Sequence, residues 1–238
     1  MSANEKVYDP MDSLLTSFTA GENATRKKWW AKADATPGLA EALPVRPADG
    51  EILRLVQCVF LAPAALAPRR VMFCGIDEDS SSEICANAGR VLAQQTGSSV
   101  CLVDANIRNG RLSKIFDMAR RKTGQTVVPS WRNQCAYVDT DLFVADTGLL
   151  RGSENGIAPA RELRERIAAL ASTFEYLLID APAVNTSSET GVIGQVAGSA
   201  VLVLQANSTR RAEAKKAKDS LQMADVRILG TVLDNHSR

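Results

Sequence analysis

The apolar residues Val71, Met72, Phe73 and Cys74 run into Gly75-Ile-Asp-Glu-Asp-Ser-Ser-Ser82, after which the spacing becomes helical. A glycine and a serine or threonine at the two ends of GxxxxGK[ST], set between a strand and a helix, frame a phosphate-wrapping loop. In such a loop backbone N–H groups and a lysine hold the phosphates. Here Gly75 and Ser82 stand at the ends of the frame, Ser80 replaces the second glycine and Ser81 replaces the lysine. Asp77, Glu78, Asp79 and Glu83 bring four negative side chains toward the place a polyphosphate would lie. Unscreened, each costs such a ligand on the order of 1 kcal/mol or more. The serines at 80–82 serve equally well as caps of the following helix. Two further apolar runs end in an acid, at Asp104 and Asp180.

These residues need a scaffold that brings strand ends together. Strands are expected over 70–74, 99–104, 142–145, 176–180, 200–205 and 227–233, with helices over 51–61, 82–95, 160–171, 188–196 and 210–223. The strands lack in/out alternation of polarity and most are followed by a helix. That pattern predicts an α/β fold: a mostly parallel central sheet between two helical layers. In such sheets ligands sit beyond the carboxyl ends of the strands, where Gly75, Asp104 and Asp180 fall. The stretch 108–139 has no sustained period and reads as irregular. Residues 1–50, interrupted by Pro37, Pro44 and Pro47, read as a flexible arm preceding one domain at 51–238. The adjacent Trp29 and Trp30 in that arm are either a docking anchor or a contact with the domain itself.

Composition removes other chemistries. The chain has 238 residues, 28 Lys plus Arg against 27 Asp plus Glu, and one histidine, His236. A formal charge of +1 offers no reason to expect a nucleic-acid partner. One histidine argues against histidine-based metal sites and Cys–His dyads. The five cysteines, at 58, 74, 85, 101 and 135, lack zinc-ligand or thioredoxin spacing and read as reduced thiols, with 74 and 101 buried in strands. The longest apolar stretch, 55–67, contains Gln57 and Pro63 and is shorter than the about 20 residues a membrane helix requires. A cytoplasmic protein is expected, peripheral to the inner membrane through a partner.

Five stretches in order resemble the cytoplasmic domain of the bacterial tyrosine autokinases of capsular and exopolysaccharide synthesis, in the MinD/ParA-like branch of phosphate-loop NTPases. EILR at 51–54 is similar to their ExxRxxR helix, and 75–82 with Asn87 to their Walker A segment. CLVDANIR at 101–108 resembles hhhDxDxR, and FEYLLIDAP at 174–182 resembles the Walker B strand FDYVIIDTPP. The closing strand, helix and strand follow in VLVL, STRR and GTVLDN. The resemblance implies a P-loop NTPase-like three-layer domain. It also implies contacts with further copies of the chain through Glu51, Arg54 and the position of Gln57.

The departures are chemical. Ser81 stands where the family has the Walker A lysine, Asn106 replaces the second acid of hhhDxDxR, and Gln57 replaces the last arginine of ExxRxxR. Tyrosines occur at 8, 137 and 176 and form no cluster of the kind the family autophosphorylates. Asp104 and Asp180 read as remnant acids, and Arg108 either binds an anion or pairs with one of the loop acids. The basic helix face Arg210, Arg211, Lys215, Lys216 and Lys218 reads as a solvated surface or a docking surface for an acidic partner. The expected function is that of a catalytically inactive, autokinase-like component of exopolysaccharide, capsule or holdfast synthesis and export. It would bind no cofactor and act with a membrane-embedded co-polymerase of the chain-length determinant type. Two alternatives are a divergent Mg-ATP-binding tyrosine kinase or ATPase, and a MinD/ParA-like positioning protein.

Overall fold

Strands buried on both sides organise the molecule. The computed structural model describes residues 49–61, 67–76, 81–117, 135–152 and 156–235. Trp29 and Trp30, the loop residues 77–80 and the stretch 118–134 lie outside them.

Helix α1 (Asp49–Phe60) precedes β1 (Arg70–Gly75), α2 (Ser81–Thr96) and β2 (Val100–Asp104). A five-residue helix α3 (Arg111–Ile115) follows, then β3 (Ala136–Asp139) and β4 (Leu142–Ala145). A 3-10 turn (Thr147–Leu150) leads to α4 (Ala160–Thr173), β5 (Tyr176–Ala181) and α5 (Glu189–Ala197). The chain closes with β6 (Ser199–Gln205), α6 (Arg211–Met223) and β7 (Arg227–Asp234). The elements expected from the sequence are all present, with ends shifted by a residue or two.

The seven strands form one sheet in the order β3-β4-β2-β5-β1-β6-β7. All neighbours are parallel except β3 and β4, which run antiparallel with Tyr137 opposite Phe143. The stretch read as irregular therefore contains a short helix and an edge strand. Both are too short to show a period, and β3 is half-exposed, so it lacks the apolar run that marks the central strands.

Alternate residues of each strand serve opposite layers. Val71, Phe73, Val100, Leu102 and Leu178 pack with Leu55, Val56, Ile84, Ala88 and Leu92 of α1 and α2. Met72, Cys101, Val103, Leu177 and Ile179 pack with Leu163, Ile167, Ile193 and Leu221 of α4, α5 and α6. The sheet thus lies between two helical layers, and no helix among the described residues is long and apolar enough to cross a membrane.

Helix α5 approaches β1 closely because of Gly194. A Cβ there would lie 2.8 Å from Val226 Cγ2 and 3.0 Å from Met72 Cε, both buried. The Gly194→Ala change is expected to lower stability by about 1–2 kcal/mol through overpacking. Urea denaturation checks this: a variant as stable as the parent would show that α5 moves outward freely.

Candidate functional site

The carboxyl ends of β1, β2 and β5 meet at one edge of the sheet. Asp104 and Asp180 are register partners on adjacent strands, and Asp180 is also opposite Phe73 of β1. Both acids are fully buried, so their oxygens must be satisfied by the protein or left at a cost.

Ser81, the first residue of α2, supplies one answer. Its hydroxyl donates to Asp180 Oδ1 at 2.7 Å, inside the core. Ser81 thus presents a short, uncharged side chain whose proton is committed to Asp180. Ser82 is equally buried, but its Oγ has no hydrogen-bond partner among the described residues. The two adjacent serines thus have different roles, a distinction invisible in their shared composition.

Asp104 is held by α3. Its Oδ2 accepts from the Ser113 N–H at 2.9 Å and the Ser113 hydroxyl at 2.8 Å. Its Oδ1 has no hydrogen-bond partner among the described residues. Burial raises the pKa of the Asp104 carboxyl above the ordinary value of 3.8. The Ser113 donors and the nearby Asn106 N–H oppose that shift without cancelling it, and the charge of Asp146 adds to it. Asn106 organises a turn: its carbonyl accepts from Gly110 at 2.8 Å, and its side-chain oxygen accepts from the Asn109 N–H at 3.3 Å. Gly110 then adopts a left-handed conformation, φ 52°, which starts α3. The Nδ2 of Asn106 has no hydrogen-bond partner among the described residues.

The loop after β5 is fastened to the start of the phosphate-loop frame. Val184 N–H donates to the Gly75 carbonyl at 3.0 Å, and Asn185 N–H to the Ile76 carbonyl at 2.9 Å. Cys85, one turn into α2, faces the same acids: burial raises its thiol pKa, and the charges of Asp180 and then Asp104 raise it further. It is held as a neutral thiol, not as a nucleophile.

The structure brings together Gly75, Ser81, Ser82, Asp104, Asn106 and Asp180. Arg108 is exposed and forms no ion pair with a described residue, and the loop acids expected to pair with it lie outside the described residues. The arginine that does meet a nearby acid is Arg111, 3.7 Å from Glu83. Sequence reasoning missed Ser113, Cys85 and Arg111, because none belongs to a motif and each reaches the site through tertiary packing.

The other expected contact residues sit elsewhere. Arg54 and Gln57 are exposed on the outer face of α1 beside Cys58, while Glu51 is half-buried. Arg210, Arg211, Lys215 and Lys216 are exposed around α6, and Lys218 is half-buried. The Glu213 carboxylate accepts from the Arg210 N–H at 3.1 Å and so closes the first turn of that helix.

Chemically, this arrangement offers carboxyl, hydroxyl and amide groups at the ends of β2 and β5 and the start of α2, with Arg111 paired to Glu83.

No protein-family profile matches the chain. Over 145 residues it is 24% identical to "Tyrosine-protein kinase CpsD" of Streptococcus pneumoniae serotype 4, covering 59% of this chain and 64% of that protein. Over 161 residues it is 24% identical to "Tyrosine-protein kinase YwqD" of Bacillus subtilis, covering 66% and 67% of the two chains. The chain thus spans less than two thirds of the pneumococcal kinase. Among solved structures, the chimerical protein CapA2B2 superposes with a TM-score of 0.64 at 19% identity, covering 83% of this chain and 88% of that one.

Proposed function

We propose that this chain, a homologue of the bacterial tyrosine kinases, is a non-catalytic regulatory or structural component of exopolysaccharide, capsule or holdfast synthesis and export. It works through protein contacts with a membrane-embedded polysaccharide co-polymerase and does not transfer phosphoryl groups. The observation that carries this reading is the 2.7 Å bond from Ser81, in the lysine position, to Asp180. Phosphoryl transfer depends on positioned positive charge to offset the phosphates, and here that position is neutral and turned inward. Asn106, in place of an acid, is occupied with the turn before α3. The fold outlasts the chemistry because its stability comes from the apolar strands of both layers.

A second reading, retained nucleotide binding, is favoured by one observation. Ser82 Oγ and Asp104 Oδ1 are buried oxygens without partners, of the kind a hydrated divalent cation contacts. Calorimetric titration of the full chain with Mg-ATP decides between the two. No saturable heat at micromolar to millimolar nucleotide is the expected result. Micromolar binding that disappears in Asp104→Ala would overturn the non-catalytic reading.

A further inference from the structure

Cys101 and Cys135 are close in space though 34 positions apart, with their sulfurs 3.9 Å apart. Cys101 is the second residue of β2, and Cys135 lies just before the edge strand β3. Both are buried in the layer that also contains Val103, Phe143 and Phe174. A disulfide needs the sulfurs at about 2.05 Å, so the two must approach by roughly half their present separation. Cys74, by contrast, directs its thiol at the Val201 carbonyl. Between Cys101 and Cys135 the chain carries Asp104, Asn106, Arg108 and Ser113, most of the acidic half of the site.

We propose that Cys101 and Cys135 are a redox-sensitive pair that forms a reversible intramolecular disulfide on exposure to a peroxide, closing residues 102–134 into a covalent loop. Cys135 is the thiol attacked first, because it is 7% exposed where Cys101 is fully buried. Its sulfur displaces one oxygen of the peroxide; the O–O bond breaks, and a sulfenic acid and water (or an alcohol, from an organic peroxide) result. The Cys101 sulfur then attacks the sulfenic sulfur. The S–O bond breaks, the S–S bond forms, and the departing hydroxide leaves as water with the Cys101 proton. Two thiols are oxidised by two electrons and one peroxide is reduced. Burial and contact with Cys135 hold Cys101 as a neutral thiol, so its proton has to leave with the hydroxide in the second step. The cross-link pins β3, a four-residue strand at the sheet edge, and constrains the segment that holds Asp104.

The test is to treat the full chain, Cys101→Ser and Cys135→Ser with hydrogen peroxide, then compare intact mass, non-reducing peptide maps and thermal unfolding. The expected product is a monomer lighter by two hydrogens, with one peptide linking positions 101 and 135. Its unfolding midpoint should rise by roughly 5–10 °C, and dithiothreitol should reverse the change. Neither serine variant should show the shift. Cys135→Ser, at the edge of the core, decides the matter if Cys101→Ser folds poorly. Free thiols remaining at both positions, Cys135 driven to sulfinic acid, or cross-linking only between copies through the exposed Cys58 would each overturn the proposal.

Discussion

Replacing Ser81 with alanine is expected to reduce the unfolding free energy by about 2 kcal/mol, while replacing Ser82 leaves it unchanged within about 0.5 kcal/mol or raises it slightly. The two residues are neighbours of one type, both about 1% exposed at the start of α2. Only Ser81 donates to a buried carboxyl group, and hydrogen bonds to carboxylates are among the stronger ones in proteins. Removing the Ser81 hydroxyl strips Asp180 Oδ1 of a donor that water cannot replace in the core. Removing the Ser82 hydroxyl deletes a buried polar atom that has no partner. Urea denaturation of the two variants supplies the comparison. Equal losses would mean that the bond to Asp180 carries no special weight. A Ser81→Lys change would place an ammonium group where the Ser81 hydroxyl now meets Asp180.

Replacing Asp104 with asparagine is expected to stabilise the protein by about 1–3 kcal/mol near neutral pH. The sign follows from linkage. The pKa of the Asp104 carboxyl is raised in the folded state above the ordinary 3.8, mainly by burial. Between the unfolded and folded values the folded state therefore holds more protons. Stability falls as pH rises through that window, and the full penalty applies above it. The asparagine variant carries no such penalty, and its side-chain oxygen can still accept from Ser113. The advantage of Asp104→Asn should be small at about pH 3.5 and widen as the pH is raised past the elevated pKa. Denaturation at several pH values measures it. A constant difference across pH would place the effect in packing, and a variant less stable than the parent at neutral pH would show that the carboxylate is favourably held. A residue that costs stability where it sits is one whose retention calls for another explanation. Residual cation binding and ancestry are the two that the Mg-ATP titration separates.

Element order was largely legible in the chain because two-sided burial leaves a local signature. Strands such as Val100–Asp104 are apolar at every position but the last, and helices such as Ala160–Thr173 carry their buried residues at helical spacing. The edge strand Ala136–Asp139 and the helix Arg111–Ile115 were not legible. Each is five residues or fewer, and the strand is half-exposed, so neither carries enough pattern to be told from a loop. Of the site, the strand-end acids Asp104 and Asp180 and the serines that open α2 could be read directly, because their positions at strand ends and a helix start follow from local pattern.

The sequence by itself determined the order of elements and the two-layered burial of the sheet. Those depend on residue type and on periods of two or about 3.6, which are properties of neighbours along the chain. Only the tertiary structure decided that Ser81 and not Ser82 meets Asp180, that Ser113 holds Asp104, and that Cys101 lies against Cys135. The first and last of these contacts join residues 99 and 34 positions apart, and even Ser113 is nine positions from Asp104. Which donor reaches which acceptor over such distances is set by strand order, register and helix placement, and no local pattern encodes that choice.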